Sequence, residues 1–240
     1  MPDNRKPLGI KSYGHIPHLP GSKAGPGDHH CSDGQARIAT IKTRDKHDEV
    51  FVQEKLDGSN VGIARVNGEI LALTRAGYLA DTSPYEQHHA FSRWVEKNKS
   101  RFLAVLLEGE RLCGEWLMQA HGTRYQLWHE PFVAFDLMVG MKRMAFSEFI
   151  LRVDKDFMTP DLIYSGHSAM SIDLIMDMLT LKLSDDTYGF HGALDPVEGA
   201  VWRVERKGVV DFLVKYVRPG KVDGKYLDDL NPVWNWSEQR

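Results

Sequence analysis

The stretch Glu54-Lys55-Leu56-Asp57-Gly58-Ser59-Asn60 sets a lysine between a β-type run at 50–53 and a turn built on Asp57-Gly58. A free lysine is a poor nucleophile. It becomes a good one where a second cation or a metal ion disfavours its charged form. K-x-D-G is a short string that a plain surface turn also explains, so its meaning depends on the chain around it.

Downstream, Val61, Ile63, Ala64 and Val66 lead through Asn67-Gly68 to a second run at 70–74, which predicts a hairpin. Phe91, Trp94, Val95, Phe102, Val105 and Leu106 recur at helical spacing and predict one amphipathic helix over 85–107, with Lys97, Lys99 and Arg101 outward. Strands are expected at 112–118 and 132–138. A helix capped by Ser171 is expected at 171–182, and a closing strand pair at 200–204 and 211–217, turned at Lys207-Gly208. Upstream, Pro17, Pro20, Gly21, Gly25, Pro26 and Gly27 follow in quick succession, so residues 1–35 predict no regular structure and read as a lid or wrap-around segment.

The 240 residues are enough for a substantial core, and 42% hydrophobic with 26% charged residues argues against a disordered or coiled-coil chain. Thirty basic against 33 acidic side chains give a formal charge of −3, which excludes an overall basic nucleic-acid binder but leaves room for a local cationic groove. Two cysteines, Cys31 and Cys113, are too few for a disulfide scaffold. The opening residues do not resemble a signal peptide, and no apolar run approaches the roughly 20 residues needed to cross a bilayer. A soluble, cytoplasmic protein without membrane contact is the expectation.

An ordered set follows the lysine: Gly114-Glu115-Trp116, then Phe132-Val133-Ala134-Phe135-Asp136-Leu137, then Glu198-Gly199-Ala200-Val201, then Phe212-Leu213-Val214-Lys215-Tyr216. This order resembles the covalent nucleotidyltransferases, the polynucleotide ligases and capping enzymes, and it spans about 160 of the 240 residues. Glu54 immediately before the lysine, Asn60 five residues after it and Thr74-Arg75 in the next strand are most similar to the bacteriophage-type RNA ligase 2-like family.

The resemblance implies an α+β nucleotidyltransferase fold, an ATP-grasp-like ligase adenylation domain of antiparallel sheets and flanking helices lining a nucleotide groove. Residues 1–49 would pack as an irregular segment on a catalytic domain of residues 50–240. It implies ATP-dependent joining of RNA 5′-phosphate and 3′-hydroxyl ends, nicked duplex included, as RNA repair. Lys55 would attack the α-phosphate of ATP and carry AMP. Lys215 would contact that phosphate and help keep Lys55 deprotonated, and Arg75 would reach the AMP phosphate and the RNA end. Phe135 would stack on adenine, and backbone groups at Glu54 and Lys55 would select it. Asn60 would serve the ribose or the RNA terminus. Glu198 would bind Mg²⁺ or Mn²⁺, with Glu115 on the ribose or a metal-bound water.

Two departures stand out. The family has a second lysine two residues after the first in its last strand; here that position is Val217, with Arg218 beyond it on the other strand face. The chain also ends 25 residues after Lys215, so a bare catalytic domain is expected, without a C-terminal barrel and with an accessory protein standing in for it. A small ATP-dependent DNA ligase is the rival reading within the class. A non-catalytic RNA-binding module of ligase ancestry is the rival outside it. His15, His18, His29, His30 and Cys31 fit no paired-ligand spacing for zinc, and Trp234 and Trp236 are expected to pin the tail.

Overall fold

In the computed structural model, residues 6–153, 155–185, 190–228 and 231–237 are described. The elements in chain order are α1 (Asp33–Thr40), β1 (Asp48–Lys55), β2 (Ser59–Val66), β3 (Glu69–Thr74), α2 (Glu86–Lys97), α3 (Lys99–Val105), β4 (Glu110–Trp116), β5 (Phe132–Val139), β6 (Lys142–Arg143), α4 (Phe146–Val153), β7 (Leu162–Gly166), α5 (Ile172–Asp185), β8 (Gly199–Arg206) and β9 (Val209–Val217). They form two units, each drawn from three stretches of chain. The class is α+β with antiparallel sheets and flanking helices, and among the described residues neither sheet closes into a barrel.

The first unit comprises Met1–Gly14, Gly58–Gln119 and Pro131–Thr159 and holds a five-stranded sheet in the order β3-β2-β4-β5-β6. Its β2–β3 hairpin turns where the sequence places it. Asn67 and Gly68 both take positive φ, 53° and 78°, the left-handed pair whose twist matches that of the flanking strands. The single helix expected over 85–107 is two helices. Asn98 leaves the helical region at φ −105°, ψ 14°, and its side-chain amide donates to the Trp94 carbonyl at 2.9 Å, so α2 ends there and α3 starts anew. Both still bury the predicted apolar faces. Phe91, Trp94 and Phe102 pack with Trp116 and Phe132 in an aromatic core.

The second unit comprises His15–Asp57, Ala120–Glu130 and Pro160–Arg240 and holds a four-stranded sheet in the order β7-β1-β8-β9. Val50, Val52, Ala200, Trp202, Val204 and Val214 bury one face of it in a core with Ala36 and Ala39 of α1 and Ile175 and Leu179 of α5. Helix α1 begins within the stretch expected to lack regular structure. A reciprocal capping box starts it: Ser32 Oγ accepts from the Gln35 N–H and Gln35 Oε1 from the Ser32 N–H, each at 3.2 Å. Before it, residues 17–23 run along β9. Lys215 N–H donates to Pro17 O, Leu19 N–H to Lys215 O and Lys23 N–H to Val217 O, all at 2.8–2.9 Å. The β8–β9 turn uses Lys207 and Gly208 at φ 52° and 72°, as its sequence predicts.

Candidate active site

Lys55 is the last residue of β1, and strand alternation fixes its neighbours. It pairs in register with Gly199, and Val201 of β8 pairs with Lys215 of β9, so Lys55 and Lys215 share one face of the second unit's sheet. Gly199 carries no side chain beside Lys55 for a packing reason: a Cβ there would lie 1.9 Å from the Tyr216 carbonyl oxygen.

The Lys55 ammonium donates to Glu198 Oε2 at 2.6 Å. The other oxygen, Oε1, accepts at 2.7 Å from Lys221, which also donates to Asp57 Oδ1 at 2.8 Å. Asp57 Oδ2 is held by the Gly122 N–H at 2.9 Å, and the Asp57 N–H donates to the Tyr125 hydroxyl. Two lysines and two carboxylates thus form one chain, Lys55–Glu198–Lys221–Asp57, in which the last three are buried. Burial disfavours the Lys221 ammonium, but the charges of Glu198 and Asp57 outweigh it and hold its pKa above the ordinary lysine range.

Sequence reasoning missed Lys221, which lies in the loop after β9 and in no motif. Its neighbour Arg218 spends its guanidinium on the carbonyls of Val197 and Pro196, at 3.0 and 3.4 Å, and the Val217 side chain is buried. Lys215 lies 3.9 Å from Asp28 Oδ1. Asp28 Oδ2 lies 3.1 Å from His18 Nε2, and His18 Nδ1 meets Ser22 Oγ at 2.7 Å. Burial, then the Lys215 charge, lowers the His18 pKa from 6.5. Glu54 turns the opposite way from Lys55. Its Oε1 accepts from the Asp161 N–H at 3.0 Å and lies 2.9 Å from His191 Nε2.

The other candidates belong to the first unit. Gly58 is forced by close approach, since a Cβ would stand 2.6 Å from the Trp116 carbonyl oxygen, and its N–H donates to Glu115 Oε1 at 3.1 Å. Asn60 pairs in register with Glu115 on β4, and its Oδ1 is buried without a hydrogen-bond partner among the described residues. Arg75 is exposed just past β3, where its carbonyl accepts from the Ser12 and Tyr13 N–H groups. Phe135 is half-exposed while every other residue from Phe132 to Met138 is buried, a pattern a plain core position lacks. Its ring meets Tyr13 edge-on at 5.0 Å. Tyr13 donates to Asp136 Oδ2 at 2.6 Å beside Arg143, and burial together with the Asp136 charge drives its hydroxyl pKa far up.

Several solved structures resemble this chain. An archaeal ATP-dependent RNA ligase aligns over 87% of this chain and 48% of its own, at 18% identity and a TM-score of 0.48. A Naegleria gruberi RNA ligase solved with pyrophosphate aligns over 72% and 50%, at 18% identity and 0.49. A putative ATP-dependent DNA ligase from Aquifex aeolicus aligns over 86% and 50%, at 16% identity and 0.48. A curated relative, an uncharacterised protein of Methanocaldococcus jannaschii, is 30% identical over 82 residues, 33% of this chain and 19% of that one. The chain therefore spans about half the length of these solved chains and a fifth of the curated relative. The family profile described as RNA ligase matches residues 48–217, and the chain belongs to that RNA ligase family.

Proposed function

We propose that this chain is an ATP-dependent RNA ligase that joins 5′-phosphate and 3′-hydroxyl RNA ends through AMP held on Lys55. The observation that carries the reading is the Lys55 ammonium at a strand end, 23% exposed, paired with Glu198 and sharing its sheet face with Lys215. In the first step the Lys55 amine, having lost a proton, forms a bond to the α-phosphorus. The bond to the bridging oxygen breaks and pyrophosphate leaves with its electron pair. The AMP then moves to an RNA 5′-phosphate, and the 3′-hydroxyl displaces it. Lys215 and Arg75 balance phosphate charge, Phe135 stacks on adenine, backbone groups at Glu54 and Lys55 select it, and Asn60 offers its buried acceptor to a ribose or terminal hydroxyl.

Glu198, whose two oxygens already face cations in the Lys55 and Lys221 ammoniums, and Glu115 each offer the hard carboxylate oxygens that suit the Mg²⁺ or Mn²⁺ this chemistry uses. Such an ion would supply charge neutralisation for the triphosphate and for the carboxylate that otherwise pairs with the Lys55 ammonium.

The test is transfer of label from α-labelled ATP to the full chain with Mg²⁺ or Mn²⁺, beside a GTP control and Lys55→Ala, followed by sealing of a 5′-phosphorylated nick with RNA or DNA on the 3′-hydroxyl side. Label from ATP that disappears in Lys55→Ala, and RNA sealing, is the expected result. An unlabelled chain whose intact mass also lacks AMP overturns the reading, and preference for a DNA 3′-hydroxyl makes it a DNA ligase.

A further inference from the structure

On the face of β1 turned away from Lys55, the Glu54 and Asp161 carboxylates and His191 offer one ligand atom each, all within 4.8 Å of one another. Three ligands of one tetrahedral ion, each about 2.1 Å from it, lie roughly 3.4 Å apart, so small side-chain rotations close the set. Glu54 and His191 are 2% and 1% exposed, and Asp161 is half-buried, which leaves an approach from its side.

Hydrogen-bond arithmetic singles out the His191 Nε2 position. His129 Nδ1 meets the Glu130 carbonyl oxygen, so it carries a proton there and its Nε2 is an acceptor. His191 Nδ1 lies 2.7 Å from that Nε2 and must be the donor. The buried His191 Nε2 then lacks a hydrogen-bond partner as a neutral nitrogen, because the atom it faces at 2.9 Å is Glu54 Oε1, itself an acceptor. Two acceptors so close need a cation between them, either a proton or a metal ion.

The surroundings are those of a metal ligand. A coordinating imidazole gives its second N–H to an orienting partner, here His129. The backbone holds His191 in place at φ 57°, directly after Phe190 at φ 49°, in a left-handed pair without glycine at either position.

We propose that Glu54, Asp161 and His191 form a binding site for a divalent transition-metal ion of the Zn²⁺ type, with His129 positioning His191. One imidazole with two carboxylates favours Zn²⁺ over Mg²⁺, which prefers oxygen ligands and resists dehydration. The ion ties the end of β1, one residue before Lys55, to the loop carrying His191. The site stands independently of the ligase reading, because none of its side chains belongs to the Lys55 network.

The test is equilibrium dialysis of the full chain against Zn²⁺ with metal analysis, together with the visible spectrum of the Co²⁺ form. About one ion per chain is expected, with d–d absorption and no thiolate charge-transfer band, and with a melting temperature raised by Zn²⁺. Asp161→Asn and His191→Ala should lose the ion, His129→Phe should weaken binding by about 10- to 100-fold, and a His29→Ala, His30→Ala control should keep it. Asp161→Asn, at a half-buried position, keeps the test decisive if His191→Ala does not fold. No bound ion in wild type, undiminished binding in folded Asp161→Asn, or a thiolate band that vanishes in the His29, His30 control overturns the proposal.

Discussion

Replacing Lys221 by Met probes the buried chain Lys55–Glu198–Lys221–Asp57 at its most connected member. The methionine keeps the stem length and removes two buried ion pairs, at 2.7 Å to Glu198 and 2.8 Å to Asp57, and a longer one at 3.5 Å to the exposed Asp223. Breaking one buried pair by deleting a partner costs about 3–5 kcal/mol, mainly through the charge left behind. Glu198 keeps Lys55, so the uncompensated charge falls on Asp57, and a loss of about 3–4 kcal/mol is expected from one orphaned carboxylate rather than two. Against a typical total of about 5–15 kcal/mol this is a large fraction.

The sign of its pH dependence follows. In wild type the raised Lys221 pKa adds stability that is present below about 10.4 and lost as pH rises through the folded value. In Lys221→Met that contribution is absent, so the deficit is full at neutral pH and narrows only as pH rises above the ordinary lysine range. Urea unfolding at pH 7.5 measures the loss, and the Asp57→Asn, Lys221→Met double variant should recover much of it. A Lys221→Met deficit under about 1 kcal/mol, or a double variant that recovers none of it, would show that no charge is stranded at Asp57.

Three other outcomes are expected. Gly122→Ala places a Cβ 2.6 Å from the Val222 carbonyl oxygen and 2.8 Å from Asp57 Oδ2, and should cost about 1–3 kcal/mol in thermal unfolding while slowing Lys55 labelling. Phe135→Leu keeps a half-exposed apolar side chain and should change stability by less than about 1.5 kcal/mol, yet loss of stacking worth about 0.5–1.5 kcal/mol should raise KM for ATP by about 2- to 12-fold. His18, with its pKa lowered in the fold, contributes stability that is lost as pH falls below 6.5, and His18→Phe should flatten that part of the pH–stability curve.

The strands were legible where side-chain alternation and turn chemistry agreed: Asn67-Gly68 and Lys207-Gly208 supply the left-handed residues their turns need, and Ser171 caps α5 through the Leu174 N–H. The break at Asn98 was not, because the apolar spacing runs through it while the Asn98 backbone leaves the helical region and its side chain bonds the Trp94 carbonyl. Helix α1 carried a readable Ser32-x-x-Gln35 signal hidden among Gly, Pro and His, whereas α4 and β7 stand in no motif of the ordered set. At the candidate site, local strings singled out Lys55, Glu198 and Lys215, which the second unit's sheet brings to one end. Lys221 stayed hidden because its partners Asp57 and Glu198 lie 164 and 23 residues away, and Asp161 and His191 for the same reason: their meaning arises only when distant loops meet the end of β1.

The run of residues 17–23 along β9 bears on how the chain can be shortened. The family match begins at residue 48, which invites trimming to that point. Such a chain would present the outer side of β9 as a raw edge, with the Lys215 amide and carbonyl stripped of Pro17 and Leu19. An unprotected edge recruits strands from other molecules. A trimmed chain would therefore self-associate and misplace Lys215, and its inactivity would report on a lost hem of backbone rather than on chemistry.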